Sequence, residues 1–100
     1  MVVEIKKSVD STVIEIVGRL DTTTAPALEK TINEDIVGTK HLVLDLKRLE
    51  YISSAGLRVL LKAQKQMQQL GSMRVKNVSA EIMEIFDMTG FNDILTIDKK

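Results

Sequence analysis

Residues 41–46, HLVLDL, constrain what this chain can fold into more than any other stretch. The run is nearly continuous in apolar residues, yet far short of the roughly 18 residues that a membrane-spanning helix needs. A short, continuous apolar run is the pattern of a strand whose two faces are both covered. A helix follows it: over residues 54–70, SAGLRVLLKAQKQMQQL, apolar positions recur at helical spacing, and Gly71 ends the run. A covered strand feeding a long amphipathic helix is the unit from which parallel sheets are built.

The rest of the chain repeats that alternation. Residues 2–6 and 12–17 are short β-branched runs joined by a polar loop, which reads as an antiparallel hairpin. Residues 25–37 place Leu28, Ile32 and Ile36 at helical spacing. Thr24 stands in the N-cap position, and Pro26 in the first turn, where its missing N–H costs nothing. Residues 73–78 read as a strand, residues 80–88 as a helix with Gly90 near its end, and ILTI at 94–97 as a last strand. The predicted order is β-β-α-β-α-β-α-β over a single α/β domain, 1–100. Its sheet is mixed and mostly parallel, with an N-terminal hairpin and helices packed on it.

Composition and motifs narrow the function. The chain is 44% apolar, enough for one core, and has no cysteine, so neither a disulfide framework nor a thiolate site is available. Fourteen basic residues balance fourteen acidic ones, leaving no net field to draw nucleic acid or an anionic membrane. No signal peptide or spanning run is visible, and the expected location is the cytoplasm. A nucleophile elbow would need glycine two residues before Ser54, where Ile52 stands. The single histidine, His41, lies at the far end of the preceding strand. No Gly-Lys-Ser/Thr phosphate loop occurs, and Asp21 and Asp45 are too few for a metal site. The expectation is a non-enzymatic domain without cofactor or metal.

What remains unusual is the pair of serines at the start of the best helix. At about 100° per residue, Gly56, Leu57, Leu60, Ala63, Met67 and Leu70 share one sector, while Arg58, Lys62, Lys65 and Gln69 lie opposite. Extending the phase back one turn puts Ser53 near the apolar sector and Ser54 on the row of Arg58. Ser53 is therefore expected to cap the helix with its oxygen, and Ser54 to expose its hydroxyl.

Three segments carry a family resemblance: GRLDTTTA at 18–25, LVLDLKRLEYISSAGLRVLL at 42–61 and FDMTGFNDIL at 86–95. Together they resemble a STAS domain, most of all the stand-alone anti-sigma-factor antagonists of bacteria. The resemblance implies a partner switch. Such an antagonist binds an anti-sigma factor, commonly also a serine kinase of the GHKL type, and so frees a sigma factor. Phosphorylation at this helix start blocks binding, and a serine phosphatase restores it. The match puts Ser54 in the acceptor position. Ser53, standing where the family commonly has Asp, is the second choice. Asp21, Ser53, Ser54, Ala55, Gly56, Arg58 and Lys62 become the expected partner-binding set, with Ala55 and Gly56 keeping the surface low. The alternative within the family is a scaffold subunit of a membrane-associated transport or signalling complex.

Other features have plainer readings. Asp21 either orders a nucleotide or partner near Ser54 or is a turn residue ahead of a helix. Asp45 reads as structural. The row Arg58, Lys62, Lys65 is a solvated face or a partner-binding one. Met83, Met88 and Phe91 read as core packing rather than a sticky patch.

Overall fold

The strand Ser11–Leu20 alternates half-buried and buried side chains up to Ile16, and both of its edges are paired. It is β2 of a computed structural model that describes residues 1–98. Around it run β1 (Val2–Lys7), α1 (Ala25–Asp35), β3 (His41–Asp45), β4 (Leu49–Ile52), α2 (Ser54–Leu70), β5 (Ser72–Lys76), α3 (Ala80–Thr89) and α4 (Phe91–Ile94). β1 pairs antiparallel with β2, from Val2 against Val17 to Lys7 against Thr12, which is the expected hairpin. β3 lies parallel to the first half of β2, and β5 parallel to β3, so the sheet is mixed and mostly parallel as expected. No helix among the described residues is long and apolar enough to cross a membrane.

Three elements differ from the expectation. β4 was not foreseen: Leu49–Ile52 pairs parallel with the far end of β2, from Gly18 against Leu49 to Leu20 against Ile52. Gly18 makes this possible. Its φ of 95° lies in the left-handed region, and the register shifts between Gly18 and Arg19, so β2 leaves β3 and continues beside β4. The predicted last strand is also replaced. Phe91–Ile94 turns as a short helix, and only Ile97 bridges in parallel to Val75. The helix expected over 25–37 stops at Asp35, because the Thr39 hydroxyl donates to the Asp35 carbonyl (3.1 Å) and accepts from Thr12 (2.7 Å), anchoring the helix end to the sheet.

The core lies on one face of the sheet. Ile14, Ile16, Leu42, Leu44, Met73 and Val75 point into it and meet Leu28, Ile32, Leu57, Leu60, Met67, Ile82 and Phe86 from the helices. β3 is thus covered on one face rather than two: Leu42 and Leu44 are buried, Val43 is half-buried and His41 is exposed. Met83 and Phe91 pack against the core, but Met88 is 86% exposed and does not belong to it. Leu70, at the end of α2, is 50% exposed although the helix phase placed it inward.

One position tolerates no side chain. A Cβ on Gly71 would fall on the carbonyl oxygen of Lys40, the same oxygen that accepts from the Ser72 N–H at 2.8 Å. Gly71 ends α2 because the chain must pass this close to the start of β3.

The open face carries charge. Arg48 forks onto Glu15, with Nε to Oε2 at 3.0 Å and an Nη to Oε1 at 2.9 Å, and that Nη also reaches Glu4 at 3.1 Å. The Arg48 hydrogen bonds hold the Glu15 carboxyl down from 4.5 to about 2. A depressed folded value means stability that is present above pH 4.5 and lost as pH falls through about 2. Glu15→Gln is therefore expected to be less stable at neutral pH and to lose less on acidification through that window. Urea midpoints taken across the window check this; parallel wild-type and mutant profiles would show that the fork adds no acid sensitivity.

Candidate functional site

β2 and β4 end side by side, and this positions the serine pair. Leu20 pairs with Ile52, and the Leu20 carbonyl accepts from the Ser53 N–H at 2.9 Å. The turn after β2 and the start of α2 are thereby joined. Ser53 is extended, with φ −97° and ψ 175°, and its Oγ accepts from the Gly56 N–H at 3.4 Å. It is the N-cap that the helix phase predicts. Ser54 is the first residue of α2, is exposed, and has no hydrogen-bond partner for its hydroxyl among the described residues. Ser53→Ala is expected to cost about 1 kcal/mol of stability. Ser54→Ala should stay within about 0.5 kcal/mol. Chemical denaturation of both mutants checks the ranking, and the reverse order would mean that Ser54 carries the cap.

The expected partner-binding residues separate into two groups. Ala55, Arg58 and Lys62 reach the surface and line a groove of about 410 Å³ against Ala25, Pro26 and Glu29 of α1. Arg58 is exposed and forms no ion pair among the described residues, whereas Lys62 Nζ meets Glu29 at 3.3 Å. That pair is exposed, and such pairs contribute at most about 1 kcal/mol. Gly56 does not belong to the low surface expected of it. It is buried, and a Cβ there would lie 2.7 Å from Leu20 Cγ and 2.9 Å from Ile52 Cγ1. Its smallness lets α2 approach β2 and β4 instead.

Asp21 works as a turn residue. Its Oδ1 accepts from the backbone N–H groups of Thr23 (3.0 Å) and Thr24 (3.1 Å) and from the Thr23 hydroxyl (2.7 Å). The Thr23 hydroxyl, followed by these N–H groups, lowers its pKa below the ordinary value. Thr24 stands at the α1 N-cap but makes no side-chain cap bond. Its hydroxyl instead donates to the Arg19 carbonyl (2.9 Å) and accepts from the Asp21 N–H (2.8 Å). Asp45 is structural as expected, buried and accepting from the Lys47 N–H (3.1 Å) and Asn77 Nδ2 (3.0 Å).

Sequence reasoning missed Arg19 and Tyr51. They are register partners on β2 and β4, and the guanidinium sits 4.4 Å from the ring centroid. Their separation in sequence gives no signal, because the pairing depends on β4.

The arrangement limits the chemistry of Ser54. His41 pairs with Ser11 at one end of β2, and the serine loop follows Leu20 at the other. At about 3.3 Å per residue the two ends are roughly 30 Å apart, so His41 cannot act as a base on Ser54. No group of His, Asp and Glu side chains that could hold a metal occurs among the described residues. Ser54 is an accessible hydroxyl without a hydrogen-bonded activator among the described residues.

The hairpin, the one-sided parallel sheet and the Ser-Ser-Ala-Gly entry to α2 together define the class of domain. The STAS domain family model matches residues 1–100, and the chain belongs to that family. The anti-sigma-B factor antagonist of Bacillus subtilis is 30% identical over 99 residues, 98% of this chain and 91% of that protein. BtrV of Bordetella bronchiseptica is 43% identical over 61 residues, 60% of this chain and 53% of BtrV, so the match spans about half the length of that relative. The crystal structure of an anti-sigma factor antagonist from Mycobacterium paratuberculosis superposes with a TM-score of 0.88, covering 99% of this chain and 86% of that one at 22% identity. This last likeness shows the fold.

Proposed function

We infer that this chain is an anti-sigma-factor antagonist, switched by phosphorylation of Ser54. The observation that carries the switch is the bare Ser54 hydroxyl on the first residue of α2, beside a cap supplied by Ser53. The relatives named as anti-sigma factor antagonists support the antagonist role. In this reading the partner is a cytoplasmic anti-sigma factor that doubles as a GHKL-type serine kinase, and a serine phosphatase reverses the modification. The protein itself performs no catalysis.

The physical logic is local. A phosphoserine brings about −1.5 to −2 charges. At a helix N-terminus the free N–H groups and the dipole favour negative charge by about 0.3–1 kcal/mol. Arg58, one turn on and without an ion pair among the described residues, adds a cation on the same row. The modified domain therefore stays folded, and the penalty falls on the partner, which meets a new anion in its interface. Ala55 beside the serine lets the partner backbone come close. Incubation with the cognate kinase and ATP, followed by peptide mass spectrometry, tests the assignment. Phosphate should appear mainly on Ser54; phosphate mainly on Ser53, or outside this loop, overturns it.

A further inference from the structure

We infer that the Arg19–Tyr51 stack is a second recognition point of the Ser54 docking surface, and that the partner meets it with a carboxylate. The inference rests on the antagonist reading above and adds the chemistry of the partner surface to it.

Arg19 and Tyr51 are neighbours on β2 and β4, one residue before the buried pair Leu20 and Ile52. Side chains alternate faces along a strand, so burial of the second pair turns the first outward. They sit at the sheet end from which Ser53 and Ser54 emerge. Tyr51 is 38% exposed, and the Arg19 side chain is 62% exposed. An exposed arginine ordinarily samples many rotamers, but here the ring lies 4.4 Å from the guanidinium carbon. A stacked guanidinium loses less freedom when a ligand engages it. Arginine and tyrosine are also among the side chains that dominate binding energy when a partner covers them.

The charge around the stack names the partner group. Arg19 Nε lies 3.9 Å from Asp21 Oδ2, too long for a hydrogen bond, and the guanidinium donates to no side chain among the described residues. Asp21 has committed its other oxygen to the turn. Arg19 therefore carries a planar fork of unspent donors, which fits a carboxylate in a bidentate way. Arg58 forms no ion pair among the described residues, so two guanidiniums without a hydrogen-bonded counter-ion belong to the elements that hold Ser54. An acidic partner patch matched to them would be repelled by a phosphate on Ser54. The same charges then give both docking and release.

The test is calorimetry of Arg19→Glu, Arg19→Gln, Tyr51→Leu and Tyr51→Phe against the purified kinase that phosphorylates Ser54, with circular dichroism on each variant. Arg19→Glu should weaken binding by about tenfold or more, and less at high salt. Arg19→Gln and Tyr51→Leu should fall between it and wild type, and Tyr51→Phe, which keeps the ring, should bind nearly as wild type. The inference is overturned if folded Arg19→Glu and Arg19→Gln both bind within about twofold of wild type while Ser54→Asp binds weakly. If neither the Arg19 variants nor the phosphorylated protein differs from wild type, the antagonist reading falls with it.

Discussion

Gly71→Ala is expected to lower stability by about 3 kcal/mol, at the upper end of what overpacking costs. The added methyl group would fall on the Lys40 carbonyl oxygen, with the Lys40 carbonyl carbon and Cα close behind. None of these atoms is free to move. The Lys40 N–H donates to the Asp10 carbonyl at 2.7 Å, tying it to the hairpin, and its oxygen accepts from Ser72 at 2.8 Å. Gly71 is held in turn, its N–H donating to the Met67 carbonyl at 2.7 Å. Relief would have to come from opening the first rung between β3 and β5, His41 against Ser72. Gly56→Ala is the instructive comparison. There the obstacles are the Leu20 and Ile52 side chains, which can shift, and alanine regains about 1 kcal/mol of helix propensity. Urea denaturation of both mutants should show the midpoint of Gly71→Ala falling much further at unchanged slope. A Gly71→Ala milder than Gly56→Ala would mean that the Lys40 backbone yields.

Ser54→Asp is expected to bind the cognate kinase at least about tenfold more weakly than wild type, a loss of roughly 1.4 kcal/mol, while remaining folded. The fold should survive because an aspartate at the first helical residue interacts favourably with the dipole and the free N–H groups. In the proposed switch, binding should suffer because the charge enters the interface opposite the acidic patch inferred for the partner. One carboxylate carries less charge and fewer acceptor oxygens than a phosphate, so true phosphoserine should weaken binding further. Ser54→Ala should bind close to wild type, and added salt should narrow the gap between the variants. Calorimetry with circular dichroism on each sample separates exclusion from unfolding. Equal affinity for wild type, Ser54→Asp and the phosphorylated protein would rule out the switch.

The parts of this molecule that were legible in the sequence are those governed by local periodicity. The α2 phase separates Ser53 from Ser54 correctly because Leu57, Leu60, Ala63 and Met67 all bury along one stripe. The hairpin and the parallel pairing of β3 with β2 and β5 follow from short β-branched runs set between helices. What was hidden depends on distant partners. β4 has the burial pattern of two exposed residues between two buried ones, so it lacks the alternation of a half-buried strand. It is a strand only because Gly18 turns β2 toward it. ILTI has strand composition, but Ile94 closes a helical turn before Ile97 reaches Val75. The helix phase puts Gly56 in the apolar sector, where it is buried; its role in a low surface fails because Leu20 and Ile52, distant in sequence, pack against it.

The place of Tyr51 has an optical consequence. The chain holds one tyrosine and no tryptophan, so its intrinsic ultraviolet emission, apart from the weak share of Phe86 and Phe91, comes from the ring that stacks with Arg19. That ring stands one residue before the end of β4, the strand leading into Ser53 and Ser54. The protein thus carries an unlabelled reporter beside the docking surface proposed for it. A change in the charge held by Arg19, whether from a bound anion or from phosphate added nearby, alters the surroundings of its one tyrosine.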